Sequence, residues 1–60
     1  MNRATIEQVA ESYLNGNRTW SRDKVRRWSR VDVLTLVEVL AEMTGSTDEA
    51  VGIVQWMVAQ

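Results

Sequence analysis

Cysteine, histidine and proline are all absent from this sequence of 60 residues. Without cysteine no disulfide can stabilise the fold, and without cysteine and histidine the usual ligands of a structural zinc ion are missing. The absence of histidine also removes the commonest general base near neutral pH. A chain of this length lies near the lower limit for a single hydrophobic core. We therefore expect one domain, residues 1–60, that is stabilised by apolar burial and by association with itself or a partner.

Long hydrophobic runs are missing as well. No apolar stretch approaches the roughly 20 residues that span a bilayer, and the opening residues, MNRATIEQ, contain no apolar signal-peptide core. We therefore expect no membrane contact and a cytoplasmic location. Apolar residues make up 45% of the composition, which predicts a folded globule rather than a disordered chain.

The net charge is only −1, but the charges are unevenly distributed. Residues 1–30 hold all seven basic residues and three acids, which gives +4. Residues 31–60 hold five acids and no base, which gives −5. Such a difference between the two halves indicates an interaction surface without identifying its partner.

The first half of the chain contains two helical segments. Between about 6 and 15, apolar residues recur at positions i, i+3, i+4, i+7 and i+8, the stripe of an amphipathic helix. Thr5 begins a capping-box pattern at the start of this helix, and Gly16 can adopt the left-handed backbone conformation that ends a helix. A second helix is predicted to begin at Ser21, a good N-cap residue, and to break at Ser29, where another capping box begins. The first stripe consists of Ile6, Val9, Ala10, Tyr13 and Leu14.

The second half is more apolar. A helix over about 30–43 has apolar residues around most of its circumference and a narrow polar strip around Glu38, so we expect neighbours on most of its sides. Gly45 ends this helix, and Ser46 or Thr47 caps a fourth one. The pattern predicts an all-α fold, a compact bundle of three to four short helices. The inward stripe of the last helix is predicted to be Ala50, Val51, Val54, Met57 and Val58.

Basic residues and two tryptophans are concentrated in residues 17–30, where Asp23 is the only acid. One interpretation is a solvated helix face with Trp20 and Trp28 in the core. A second is a docking surface for an acidic protein, and a third is phosphate binding with Trp20 stacked on a base. The isoelectric point of about 5.2 argues against a dedicated DNA-binding domain. We define the basic surface as Arg18, Arg22, Lys24, Arg26, Arg27 and Arg30, of which Arg22, Arg26 and Arg30 are predicted to follow one side of a helix.

A second candidate surface surrounds Trp56. Its helical position points away from the inward stripe, and small residues beside it allow close approach by another molecule. The alternative is that Trp56 folds back onto the first helix or onto the loop around Trp20. Because the third helix also has surplus apolar surface, we favour self-association, most simply as a two-fold dimer. The predicted contact residues are Gly52, Ile53, Trp56 and Ala59.

Two stretches, TIEQVAE and SRDKVRRW, resemble the helix pair of the excisionase and MerR-like winged-helix families. That resemblance implies a regulatory protein with a helix-turn-helix, in which Arg22, Lys24, Arg26 and Arg27 face the DNA groove. DNA binding of this kind is the alternative to the function that we favour, which is a non-catalytic protein–protein interaction module.

Another stretch, SYLNGN at 12–17, together with the capped helices that follow, resembles small phage-encoded all-helical accessory proteins. That resemblance implies a small accessory protein that acts by binding, for example to a host factor. It assigns no functional site.

Features of an enzyme are not evident. Glu38 and Glu42 lie on one helical face, but without histidine they are expected to be a solvated strip rather than an acid–base or metal-binding pair. No serine has a basic residue suited to activate it, and no glycine-rich phosphate loop occurs. We therefore expect a non-enzyme with no catalytic residue, cofactor or metal.

Overall fold

Four α-helices make up the computed structural model, which describes residues 1–59. The extensive contacts join α1 to α2, α2 to α4, α4 to α3 and α3 to α1, so α2 and α3 lie diagonally opposite each other. The bundle measures 26 × 23 × 19 Å, and the predicted all-α class is confirmed. None of the helices in the described residues has the length and apolarity needed to cross a bilayer. The helices are α1 (Arg3–Leu14), α2 (Arg18–Val25), α3 (Arg30–Thr44) and α4 (Thr47–Val58).

The core lies where the four helices meet. Each of α1, α3 and α4 contributes at least three buried apolar side chains, whereas α2 contributes only Val25. Burying a side chain of the size of valine or leucine stabilises the fold by about 1.5–3 kcal/mol, so α2 is held by far less apolar burial than the others. The buried apolar residues are Ile6, Val9, Ala10, Tyr13, Val25, Leu36, Val39, Leu40, Ala50, Val54 and Met57.

Helix α1 begins one turn earlier than the sequence predicts. The Asn2 side-chain oxygen accepts a hydrogen bond from the Thr5 backbone N–H at 3.0 Å, so Asn2 is the N-cap and Thr5 lies inside the helix. Asparagine caps as well as threonine does, which is why the capping pattern at Thr5 was misleading. The predicted left-handed turn is confirmed at Gly16, whose φ is +106°. Leu14, predicted on the inward stripe, is exposed at the end of the helix.

Helix α2 begins at Arg18, and the predicted N-cap at Ser21 is wrong. Ser21 is fully buried, and its hydroxyl donates to the Asn17 carbonyl at 2.8 Å, with the Val9 carbonyl 3.4 Å away. A serine three residues inside a helix can satisfy its hydroxyl with the carbonyl one turn back. Its small side chain lies between α1 and α2, so Ser21 contributes a contact between two helices and does not cap one.

The predicted ladder of Arg22, Arg26 and Arg30 along one helix is also wrong. Helix α2 ends at Val25, so Arg26 follows its last residue and Arg30 is the first residue of α3. The intervening capping box interrupts the helical phase that the ladder required. Arg22 lies in α2, Arg26 lies in the turn after it and Arg30 lies in α3, so the three side chains do not share one helical face.

Helices α3 and α4 begin where the local signals predict, and α3 also ends where they predict. The Ser29 hydroxyl oxygen accepts from the Asp32 N–H at 3.3 Å, and that of Ser46 accepts from the Glu49 N–H at 3.2 Å. Gly45 has φ +75° and occupies the left-handed C-cap position of α3. The predicted caps at Ser29 and Ser46 are confirmed.

The expectation that α3 has neighbours on most sides is wrong. Its extensive contacts are with α1 and α4 only, and Val31 and Leu34 remain 71% and 58% exposed. Two members of the predicted inward stripe of α4, Val51 and Val58, are likewise exposed. A bundle of four short helices has too few elements to surround any one of them, so apolar residues remain at its surface.

Candidate binding surfaces

The basic surface has no internal acidic partners. Among residues 1–59 the side-chain ion pairs are those of Arg3 with Glu7 at 3.2 Å and with Glu42 at 2.9 Å. None of the six basic side chains between 18 and 30 lies within 4.0 Å of a carboxylate of residues 1–59. Their charge is therefore not neutralised within the described part of the chain, and it produces a positive potential at this surface.

Two arginines of the basic surface lie on aromatic rings that are themselves in contact. The Arg18 guanidinium lies 5.4 Å from the Tyr13 ring centroid, and that of Arg22 lies 4.8 Å from the Trp56 ring centroid. The Tyr13 and Trp56 centroids are 6.1 Å apart with an interplanar angle of 61°, an edge-to-face pair. This array connects the end of α1 to α2 and α4.

Arg22 differs from the other basic residues because it is partly buried. Its Nε atom is buried and has no hydrogen-bond partner among residues 1–59. The guanidinium covers Trp56, so Arg22 serves mainly as packing between α2 and α4. The exposed bases are Arg18, Lys24, Arg26, Arg27 and Arg30.

An open groove of about 420 Å³ runs along the outer side of α2. Trp20 is 48% exposed, and the Lys24 ammonium lies 5.4 Å from its ring centroid. Trp28 is half-buried and packs against the core, so one of the two tryptophans serves the fold and the other faces solvent. The groove is lined by Trp20, Asp23, Lys24, Arg27 and Trp28.

Trp56 combines the two roles that the sequence left open. Its contacts with Tyr13 and Arg22 fold it back onto α1 and α2, and it remains 42% exposed. Of the residues predicted to surround it, Gly52 and Ala59 are exposed and Ile53 is partly buried against the core. A Cβ atom built at Gly52 would meet nothing within 4 Å, so the surface there is open.

The sequence predicted surplus apolar surface on the third helix without locating it, and it assigned Val51 and Val58 of α4 to the inward stripe. The outer side of α3 and α4 carries five apolar side chains that are exposed or half-buried. The available signal was that α3 has more apolar circumference than two neighbouring helices can cover. We define the α3–α4 face as Leu34, Val37, Ala41, Val51 and Val58.

The Glu38 and Glu42 pair does not form a paired carboxylate site. Glu42 accepts a hydrogen bond from the Arg3 guanidinium at 2.9 Å, and Glu7 accepts another from the same group at 3.2 Å. The hydrogen bond with Glu7 and the charge of Glu42 raise the pKa of Arg3 above its usual value. Glu42 thus contributes to an ion-pair network between α3 and α1.

Comparison with family models, curated proteins and solved structures finds no match for this chain.

Proposed function

We propose that the chain is a small non-catalytic protein–protein interaction module that binds acidic polypeptide surfaces, including those of other copies of itself. The observation that carries this proposal is the half-exposed Trp20 among cations that lack acidic partners in the described residues. A tryptophan flanked by cations is the kind of residue that dominates binding energy at protein interfaces. The cations accelerate encounter with an acidic partner and select against basic ones.

The exposed position of Trp20 favours docking over a merely solvated face. A solvated helix face does not require a large aromatic residue, and Trp28 already supplies the aromatic packing that the core uses. Burying the exposed part of Trp20 against a partner gains roughly 25 cal/mol per Å² of apolar area. The partner that the resemblance to phage accessory proteins implies is a host protein, bound through this surface in the cytoplasm.

Nucleic-acid binding is the second candidate, and two observations favour it. The groove places Lys24 and Arg27 beside two tryptophans, and such a surface can contact phosphates and stack a base. Helix α1 also ends at Leu14 and α2 begins at Arg18, and the intervening turn contains Gly16, as in a helix-turn-helix. Against it, Arg22 is engaged with Trp56 rather than free to face a groove.

Titration with two probes of equal negative charge separates the candidates. One probe is a helical peptide of glutamate and leucine, and the other is a single-stranded oligonucleotide. Each probe carries a fluorescent label, and the anisotropy of that label reports binding at low and high salt. We expect the peptide to bind more tightly and to retain affinity in salt through its apolar contact with Trp20. Trp20→Ala should weaken peptide binding by about 2 kcal/mol, roughly 30-fold.

Leu14→Ala is the matched control, since Leu14 is exposed to a similar extent on α1. It should leave both affinities unchanged. Tighter oligonucleotide binding with a steep salt dependence would transfer the assignment to nucleic acid. Binding of neither probe, with a chain that stays monomeric at every concentration, would refute the proposed function.

A further inference from the structure

We propose that copies of this chain associate head to tail, with the groove around Trp20 of one copy seated on the α3–α4 face of the next. This inference rests on the proposed function, because it identifies a second copy as an acidic partner. It differs from the two-fold dimer that the sequence suggested, since it joins two different surfaces.

On α4, two exposed valines, Val51 and Val58, lie on the flank that faces α3. Trp56 contacts Tyr13 and Arg22, which fixes its flank of α4 toward α1 and α2. At 100° per residue, Val51 and Val58 point roughly 150° away from Trp56. They are exposed, and they border α3, the other extensive neighbour of α4.

On α3, the corresponding residues lie on the flank away from α1. Glu42 binds Arg3 and therefore marks the α1 side. Val37 points roughly 140° away from Glu42, and it packs partly against the core. Leu34 and Ala41 adjoin Val37 one turn before and one turn after it, toward solvent.

A hairpin brings these two flanks together. Only Gly45 and Ser46 separate α3 from α4, and two helices joined this way run side by side in opposite directions. The first turns of α3 are therefore level with the last turn of α4, where Val58 lies. Leu34 and Val58 thus lie at one end of a largely apolar strip, and Ala41 and Val51 lie at the other, with the exposed side chain of Gln55 between the two valines of α4.

The charge at the rim of this strip is negative. Glu38 is one turn from Leu34, and Asp48 is three residues from Val51, so an acid flanks each helix at the edge of the strip. No basic residue occurs between 31 and 60. An apolar centre with an acidic rim complements an exposed tryptophan flanked by Lys24 and Arg27.

The arrangement of the helices decides the symmetry. The groove follows α2, and α2 lies diagonally opposite α3. Helix α4 adjoins α2, but Val51 and Val58 lie on the flank of α4 away from α2, so the two complementary surfaces lie on different sides of one copy. A two-fold axis would have to bring both pairs of surfaces together at once, which this separation prevents, so the contact generates a ring or an open chain.

Two variants that each block one surface test the inference. The head-blocked variant carries Trp20→Ser and Lys24→Gln, and the tail-blocked variant carries Leu34→Lys and Val58→Lys. Sedimentation velocity is measured from micromolar to millimolar concentrations for the wild type, each variant and their equimolar mixture. Leu14→Ser and Leu14→Lys are the controls, because Leu14 is exposed on α1 and lies outside the two surfaces. Circular dichroism confirms that every variant is helical.

We expect the wild type to form species larger than a dimer as concentration rises, and the two controls to do the same. Each blocked variant should remain monomeric, and their mixture should form a species of two chains and nothing larger. This result is specific to head-to-tail contact, because one intact head and one intact tail remain in the mixture.

A mixture that stays monomeric while the wild type associates would overturn the head-to-tail arrangement and leave the proposed function standing. The same conclusion follows if either blocked variant associates as the wild type does. A wild type that remains monomeric overturns the inference outright, and the peptide titration then decides independently whether the chain binds acidic polypeptides.

Discussion

Replacing Arg22 with methionine is predicted to stabilise the protein, although it removes a cation–π contact. The Arg22 guanidinium lies 4.8 Å from the Trp56 ring centroid, while its Nε atom is buried and finds no hydrogen-bond partner in the described part of the chain. A cation–π contact near the surface stabilises by about 0.5–1 kcal/mol, whereas a buried unpaired N–H costs about 1–3 kcal/mol. The cost exceeds the gain.

Methionine keeps most of what the arginine contributes. Its unbranched side chain covers the same ring, its sulfur makes a favourable contact with an aromatic edge worth about 0.3–1.5 kcal/mol, and its helix propensity is close to that of arginine. We therefore expect Arg22→Met to raise the free energy of unfolding by about 1 kcal/mol. In a domain of this size that corresponds to a rise in Tm of about 4–8 °C.

Thermal unfolding followed by circular dichroism measures this difference. Arg26→Met is the matched control, because Arg26 is exposed just beyond the end of α2 and should change stability by no more than about 0.5 kcal/mol. A fall in Tm for Arg22→Met, with Arg26→Met unchanged, would show that the guanidinium is worth more to the α2–α4 contact than its unpaired Nε costs.

Other predictions concern the core and the helix ends, and urea unfolding checks each of them. Leu40→Ala should cost about 2–5 kcal/mol because Leu40 is fully buried, which would unfold most molecules of a domain this small; Leu34→Ala should cost much less, and equal losses would contradict the burial. Gly45→Ala should destabilise by about 1 kcal/mol because φ is +75° there. Gly52→Ala, with open space around it inside a helix, should stabilise by about 0.5–1 kcal/mol, and the opposite sign would refute this. Ser46→Ala should cost about 1 kcal/mol by removing the cap of α4, and an unchanged midpoint would show that the cap contributes little.

Local signals predicted those features of the fold that depend on neighbouring residues. Ser29, Gly45 and Ser46 fix the ends of α3 and α4 because capping involves only residues within one turn. The same rule failed at Ser21, since a distant helix, α1, packs against it and a buried serine bonds to its own preceding turn. A serine that caps a helix cannot be distinguished in the sequence from a serine that is buried between two helices.

The binding surfaces were predictable only in part for a related reason. The concentration of bases in 18–30 is visible in the sequence, but the stacking of Arg22 on Trp56 depends on the packing of α2 against α4. The exposure of Leu34 likewise depends on which helices adjoin α3. Periodicity identifies apolar faces, whereas the order of helices around the core decides which of them remain uncovered.

The small buried side chain of Ser21 determines how closely the first two helices approach each other. Its side chain is fully buried and lies 3.4 Å from the Val9 carbonyl, so position 21 holds the backbones of α1 and α2 at close range. A bulkier residue at this position would increase the distance between α1 and α2. It would therefore displace α2, the helix that carries the exposed Trp20. The choice of a very small side chain inside the bundle therefore sets where the largest side chain stands outside it.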